Sequence, residues 1–462
     1  MNFPLLAIIL PLLGALALSA AGTSRFGAFA NAVLSVAGFV LTLLVWLSGQ
    51  TTALAALFGV LSGFVGLTAA LATISMSAKS STSSARYDRY EYALFQLLLS
   101  LSLLGLYTDN IGLLWLALAA ETIAMAVGIG LQGTKVAREA AWAHMLTNGV
   151  GIGLALFGTL LMSLAVVPAS GTMMSFTALS AQSTHFNTVW LSLGFIFILF
   201  GYGAKAVLTK LHDWAFAEGG RPICALQGLS TIVALLAILR FRHIVQVHVG
   251  LLLPMILLLA FAIISLFLAA FTMARQSGIR RFCGSMACGQ AAISLFAFGI
   301  GGPLAVFGGL LQMLLYRLLE SGLFLALAGA MEGRGGDESF ANLRGLLQTN
   351  KYVGWVLGLM LFAASGLPPS GLFVSEFIVI RETVLHIPWV CLPLSLGLML
   401  CALPVLRHVG SVLFTQSPAT KSPKAGFIIN LATLHLVLLL VLAFAMPASL
   451  VHVLTQAAEA LQ

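Results

Sequence analysis

Charged side chains make up only 8% of this 462-residue chain, against about a quarter in a soluble globular protein. A hydrated surface for a soluble fold of that size cannot be built from so few. Cysteine is sparse as well, and Cys224, Cys283, Cys288, Cys391 and Cys401 contain no Cys-x-x-Cys pair. Iron–sulfur, nickel and zinc ligation by this chain are therefore not expected, and the cysteines read as core packing. Phosphate loops, nucleophile motifs and clusters of metal ligands are missing too, so no catalytic centre is expected here. No Lys or Arg precedes the first apolar run. A secretory signal needs a basic start, so this segment reads as a retained span. Outside the spans the longest polar stretches are 77–90, 168–186 and 332–351. They read as loops, and none leaves room for a soluble domain.

What is present is apolar sequence: 60% of the residues are hydrophobic and the mean hydropathy is +1.05. Runs of about 20 apolar residues, the length that crosses a bilayer as a helix, recur along the whole chain. The expected fold is an all-α polytopic membrane protein with about fourteen transmembrane helices, near 3–21, 27–47, 53–76, 91–108, 111–132, 142–165, 187–209, 221–240, 247–273, 283–300, 303–330, 352–379, 386–406 and 426–446. Basic residues collect in cytoplasmic loops. With the N-terminus outside, 17 Lys and Arg fall on inward loops and only Arg240, Arg242 and Arg381 on outward ones. An odd number of missed helices would scramble that asymmetry. Both termini are therefore expected outside, and the net charge of +8 reflects topology rather than a nucleic-acid footprint.

Against this background Lys205 and three acids, Glu121, Glu320 and Glu376, interrupt apolar runs, with Arg317 beside Glu320. An ammonium near the bilayer centre costs about 2.5 to 3.5 kcal/mol on insertion scales, and such a residue marks an ion or proton path with a partner close by. Lys205 and Glu376 each follow helix breakers, Gly201-Tyr-Gly203 and Gly366-Leu-Pro-Pro369 respectively. Interrupted helices in corresponding halves point to inverted repeats with a site between them. The competing reading for each charge is a structural ion pair. For Glu121 that partner could be His144. Glu320 stands three residues from Arg317, on one helical face, where the two can pair. His212 and Asp213 follow Lys205, where they could admit protons from the cytoplasm or cap the helix.

Several segments together resemble a known family, the antiporter-like, proton-translocating membrane subunits of respiratory complex I, Mrp antiporters and energy-converting hydrogenases. They are Asp109-Asn-Ile-Gly-Leu-Leu-Trp115, Ala140-Ala-Trp142, the glycine-rich run 151–158, Gly201-Tyr-Gly-Ala-Lys205, Leu211 with His212 and Trp214, the run 301–308, and Gly366-Leu-Pro-Pro369 through Ser375-Glu376-Phe377. The chain is most similar to the hydrogenase-4 or formate hydrogenlyase type. The resemblance implies two inverted five-helix repeats with two broken helices, divided as 1–108 for the N-terminal helices, 109–240 for the core of the first repeat, 247–406 for the second and 407–462 for a last helix and tail. It implies that Lys205 is the lysine of the first broken helix and Glu376 the acid of the second, with Glu121 and Glu320 completing the proton relay. The chain departs from the family pattern elsewhere. The acid expected four residues after Trp115 is Ala119, and Glu121 stands two positions on, turned by roughly 200° around a helix. Ile232 takes a usually polar position, Glu320 a usual lysine, Gln312 and Tyr316 familiar histidines, and Lys210 a proline. The implied function is proton translocation within a redox-driven complex of hydrogenase-4 or NADH:quinone oxidoreductase type, in a prokaryotic inner membrane. Other membrane and peripheral subunits would be its partners, protons or sodium the ions moved, and no cofactor is expected in this chain. A stand-alone or Mrp-type cation/proton antiporter, a non-translocating scaffold and the membrane subunit of a bicarbonate-uptake complex are the alternatives.

Overall fold

The computed structural model describes residues 2–21, 24–77, 85–131, 133–165, 174–181, 186–206, 226–331, 339–416 and 426–461. The first eight helices are α1 (Phe3–Ala21), α2 (Ser24–Ser48), α3 (Ala53–Ser77), α4 (Ala85–Tyr107), α5 (Ile111–Gly130), α6 (Lys135–Leu164), the short α7 (Phe176–Ala181) and α8 (Thr188–Ala206). After them come α9 (Gln227–Val249), α10 (Leu252–Arg275), α11 (Ile279–Ile300), α12 (Pro303–Met331), the single turn α13 (Leu346–Thr349), α14 (Lys351–Ala364), α15 (Gly371–His386), α16 (Cys391–Phe414), α17 (Phe427–Phe444) and α18 (Ala448–Ala460). Helix is what an apolar chain must form in lipid, because every backbone N–H and C=O has to be paired within the segment. Polar side chains mark the starts. Asn110, Thr134, Asn350 and Ser370 each accept from the backbone N–H three residues on, satisfying a donor that the first turn leaves free.

Thirteen helices among the described residues are long and apolar enough to cross a membrane. α14 and α15, of 14 and 16 residues, are shorter, and the segment expected to span at 352–379 is divided between them by the break at 365–370. The all-α class is therefore met, with thirteen helices of spanning length among the described residues where about fourteen were expected. α4 starts at Ala85, several residues before the expected 91. The interruption expected at Gly201–Gly203 does not fall there. α8 runs unbroken through these glycines to Ala206, and 207–225 lie outside the described residues together with His212 and Asp213. The glycines serve packing instead. A Cβ on Gly201 would overlap the backbone of Ala155, and one on Gly158 would come within 2.8 Å of the Gly194 carbonyl oxygen. α6 and α8 thus meet along a seam of small residues, the usual means of bringing membrane helices close.

α11 is buried along its whole span and α12 along nearly all of it, so these two form the centre of the molecule. Around them the outer helices turn apolar faces outward, as with Leu13, Leu16 and Phe29 on α1 and α2, Trp142, Leu146 and Val150 on α6, and Leu392 and Leu403 on α16. A water-soluble protein would not expose so much contiguous apolar surface, whereas lipid solvates it. α18 lies against α12 and α3, burying Val453, Leu454 and Ala458. Cys283 and Cys288 are buried in α11, and all four described cysteines are free thiols; Cys224 lies outside the described residues.

Candidate functional site

Lys205 with Glu121, Glu376, and Arg317 with Glu320 form three neighbourhoods. In the first, Lys205 occupies the last described turn of α8 with only 4% of its surface exposed. Its Nζ donates to Thr122 Oγ1 on α5 at 2.7 Å. Glu121, one residue earlier and equally buried, accepts from Ser102 Oγ of α4 at 3.0 Å. The two-residue displacement of the acid thus turns its carboxylate toward α4 and brings a threonine to the lysine, while Ala119 packs against the apolar core. On α6, Asn148 donates to the His144 carbonyl at 3.1 Å, and both side chains are buried.

The second neighbourhood surrounds the break between α14 and α15. Glu376 is buried on the second turn of α15, and its carboxylate lies against Gly366, where any Cβ would overlap it. Gly366 has φ +71, a conformation that residues with a side chain enter at a cost. Ser370 caps the start of α15. Ser375 Oγ donates to Gln312 Oε1, and Gln312 Nε2 donates to Gln290 Oε1. Gln290 Nε2 in turn donates to the Ala364 carbonyl at the end of α14 at 3.4 Å. A directed chain of amide hydrogen bonds therefore runs from α15 through α12 and α11 back to the carbonyl end of the broken helix. Such carbonyls need partners when buried.

The third is the pair Arg317–Glu320, one turn apart on α12, with Nη1 to Oε2 at 2.7 Å. It faces the first turn of α9 and a small cavity between α9, α11 and α12 that Gln290 also lines. Ile232, at the position where the resemblance implies a polar side chain, is buried in the same wall. Towards the far end of α15, buried Glu382 binds Arg381 at 2.6 Å and stands 3.7 Å from His386 Nδ1.

The structure thus brings Lys205 together with the Glu121–Thr122 turn, and Glu376 together with a helix break and an amide chain, while Glu320 sits in an ion pair. Ser102, Thr122 and Gln290 are the participants that sequence reasoning passed over. The available signal was a hydroxyl or amide inside an otherwise apolar run, which is common enough in membrane helices to be overlooked. Chemically, the arrangement offers buried acids, a buried amine and hydroxyls that can exchange protons.

Residues 108–403 match the family described as NADH:quinone oxidoreductase/Mrp antiporter, TM. A hydrogenase-4 component F homolog of Methylacidiphilum infernorum (isolate V4) is 33% identical over 433 residues, covering 90% of this chain and 91% of that protein. Among solved structures, a chain of the archaeal membrane-bound sulfane sulfur reductase superposes with a TM-score of 0.87 at 20% identity, covering 100% of this chain and 98% of that one. A chain of respiratory complex I from Thermus thermophilus gives 0.83 at 20% identity, covering 100% and 99%. With the family match spanning well over half its length and a relative similar from end to end, this chain belongs to the NADH:quinone oxidoreductase/Mrp antiporter family of transmembrane subunits.

Proposed function

We propose that the chain is a proton-translocating, antiporter-like membrane subunit of a redox-driven complex of hydrogenase-4 or NADH:quinone oxidoreductase type. The observation that carries this reading is the burial of Lys205 against the Glu121–Thr122 turn within a bundle that also buries Glu376 over a helix break. A buried amine and a buried acid are each expensive in lipid, and their use as protonatable stations explains why they stand there. Protonation of one station shifts the affinity of the next, so the stations titrate as a coupled set. In this reading the first repeat occupies 109–240 and the second 247–406, with Lys205 and Glu376 as their respective stations. Partner subunits carry the redox cofactors and the electron transfer. The complex sits in the inner membrane of a prokaryote with both ends of this chain outside.

The test is proton uptake by the purified complex in sealed vesicles. Lys205→Ala and Glu376→Gln are each expected to abolish most of it while the complex still assembles. Undiminished uptake in both variants, with assembly intact, would leave the chain a scaffold rather than a pump.

A further inference from the structure

The cavity between α9, α11 and α12 has a volume of about 30 Å³, room for about two water molecules. Thr231, Ser294 and Tyr316 line it together with Gln290, Arg317 and Glu320. Thr231 Oγ1, Ser294 Oγ and Tyr316 Oη are buried with no hydrogen-bond partner among the described residues. Buried hydroxyls without partners are costly and call for a guest. Three such oxygens beside a carboxylate are the hard donor set that suits a small metal cation. The charge that a cation would bring is, however, already there. Arg317 Nη1 lies 2.7 Å from Glu320 Oε2, and a guanidinium is permanently ionised and only donates. The backbone of α9 is fitted to this arrangement, since a Cβ on Gly228 would fall on both the guanidinium and the carboxylate.

We propose that Arg317 is a selectivity residue: its guanidinium fills the cation position beside these three hydroxyls and the carboxylate, in an otherwise apolar cavity at the junction of α9 with α11 and α12, closing that junction to sodium while leaving it open to protons. A sodium ion entering would meet a fixed positive charge and find the one carboxylate engaged, so it would lose its hydration without compensation. A proton needs no such shell. Each hydroxyl or water can accept one hydrogen and release another, and no ion has to reside beside Arg317. The inference rests on the reading of the chain as an ion-translocating subunit and names the ion.

The test compares the complex carrying Arg317→Gln with the wild type, in sodium and in choline buffers. Wild-type proton uptake into vesicles is expected to be the same in both, with no uptake of radioactive sodium. In Arg317→Gln the carboxylate and hydroxyls are released to a metal ion. Sodium should then slow proton uptake several-fold and raise the Tm of the detergent-solubilised complex. Arg317→Lys, which keeps the charge, and the double variant Arg317→Gln with Glu320→Gln, which removes the anion, should show neither effect. Arg317→His supplies a second route if the glutamine variant does not assemble, with sodium sensitivity emerging as rising pH strips the imidazole of its charge. Sodium uptake by the wild type overturns the proposal, as does indifference of the Arg317→Gln and Arg317→His complexes to sodium in both assays. A wild-type complex that moves neither ion overturns the proposed function instead, and the sodium dependence of Tm in the variants then decides the selectivity proposal on its own.

Discussion

Lys205 Nζ donates to Thr122 Oγ1 at 2.7 Å, so the buried amine of α8 is tied to the same turn of α5 that carries Glu121. The hydroxyl accepts from the buried amine, and hydrogen bonds to charged groups contribute about 1.5 to 3 kcal/mol. Thr122→Val, which keeps the shape and removes the donor–acceptor, should therefore lower the Tm of the complex and cut proton uptake severely. Thr122→Ser should restore most of both. A valine variant that pumps at the wild-type rate would reduce this hydrogen bond to a packing detail.

Lys205 is bonded to Thr122, the residue next to Glu121, so the losses of Glu121 and Lys205 should be coupled rather than additive. Removing one member of a buried, interacting pair costs about 3 to 5 kcal/mol because the other charge is stranded. Glu121→Gln should damage uptake about as much as Lys205→Ala, and the double variant should be little worse than either. Purely additive losses would mean that the acid serves α4, through Ser102, and not the lysine.

The spans were legible because lipid imposes one rule, about 20 apolar residues per crossing, and the thirteen helices of spanning length obey it. α18 was not, because only its Val453, Leu454 and Ala458 face are buried while Glu459 and His452 face outward. An average over its length hides that amphipathic pattern, which the 3.6-residue period would have revealed. The buried charges Lys205 and Glu376 announced themselves by cost alone. Their partners did not, because which hydroxyl or amide meets a charge depends on how helices rotate against each other. The glycines of 201–203 misled for a related reason. Glycine loosens a helix in isolation, but here Gly201 permits contact with Ala155 and the helix continues.

The sidedness proposed for the chain rests on its basic loops. A reporter active only in the cytoplasm should be active when inserted at Gly133, beside Lys135, and silent when fused after Gln462. The reverse pattern would invert every span together and place the Glu382–His386 end of α15 in the cytoplasm.

Gly366 offers the sharpest test of the second station, because two separate effects meet there. Its φ of +71 costs a side-chain-bearing residue about 1 to 2 kcal/mol, and in addition a Cβ would overlap the Glu376 carboxylate. Gly302 is the control, with φ +79 and nothing within 4 Å of its notional Cβ. Gly302→Ala should thus lower the Tm through backbone strain alone and leave proton uptake per assembled complex near the wild-type value. Gly366→Ala should lower the Tm at least as much and also depress uptake per assembled complex, since the carboxylate must leave its place over the break. Equal uptake in the two variants would mean that the position of Glu376 against Gly366 is irrelevant to transport, and the second station would have to be sought elsewhere along α12 and α15.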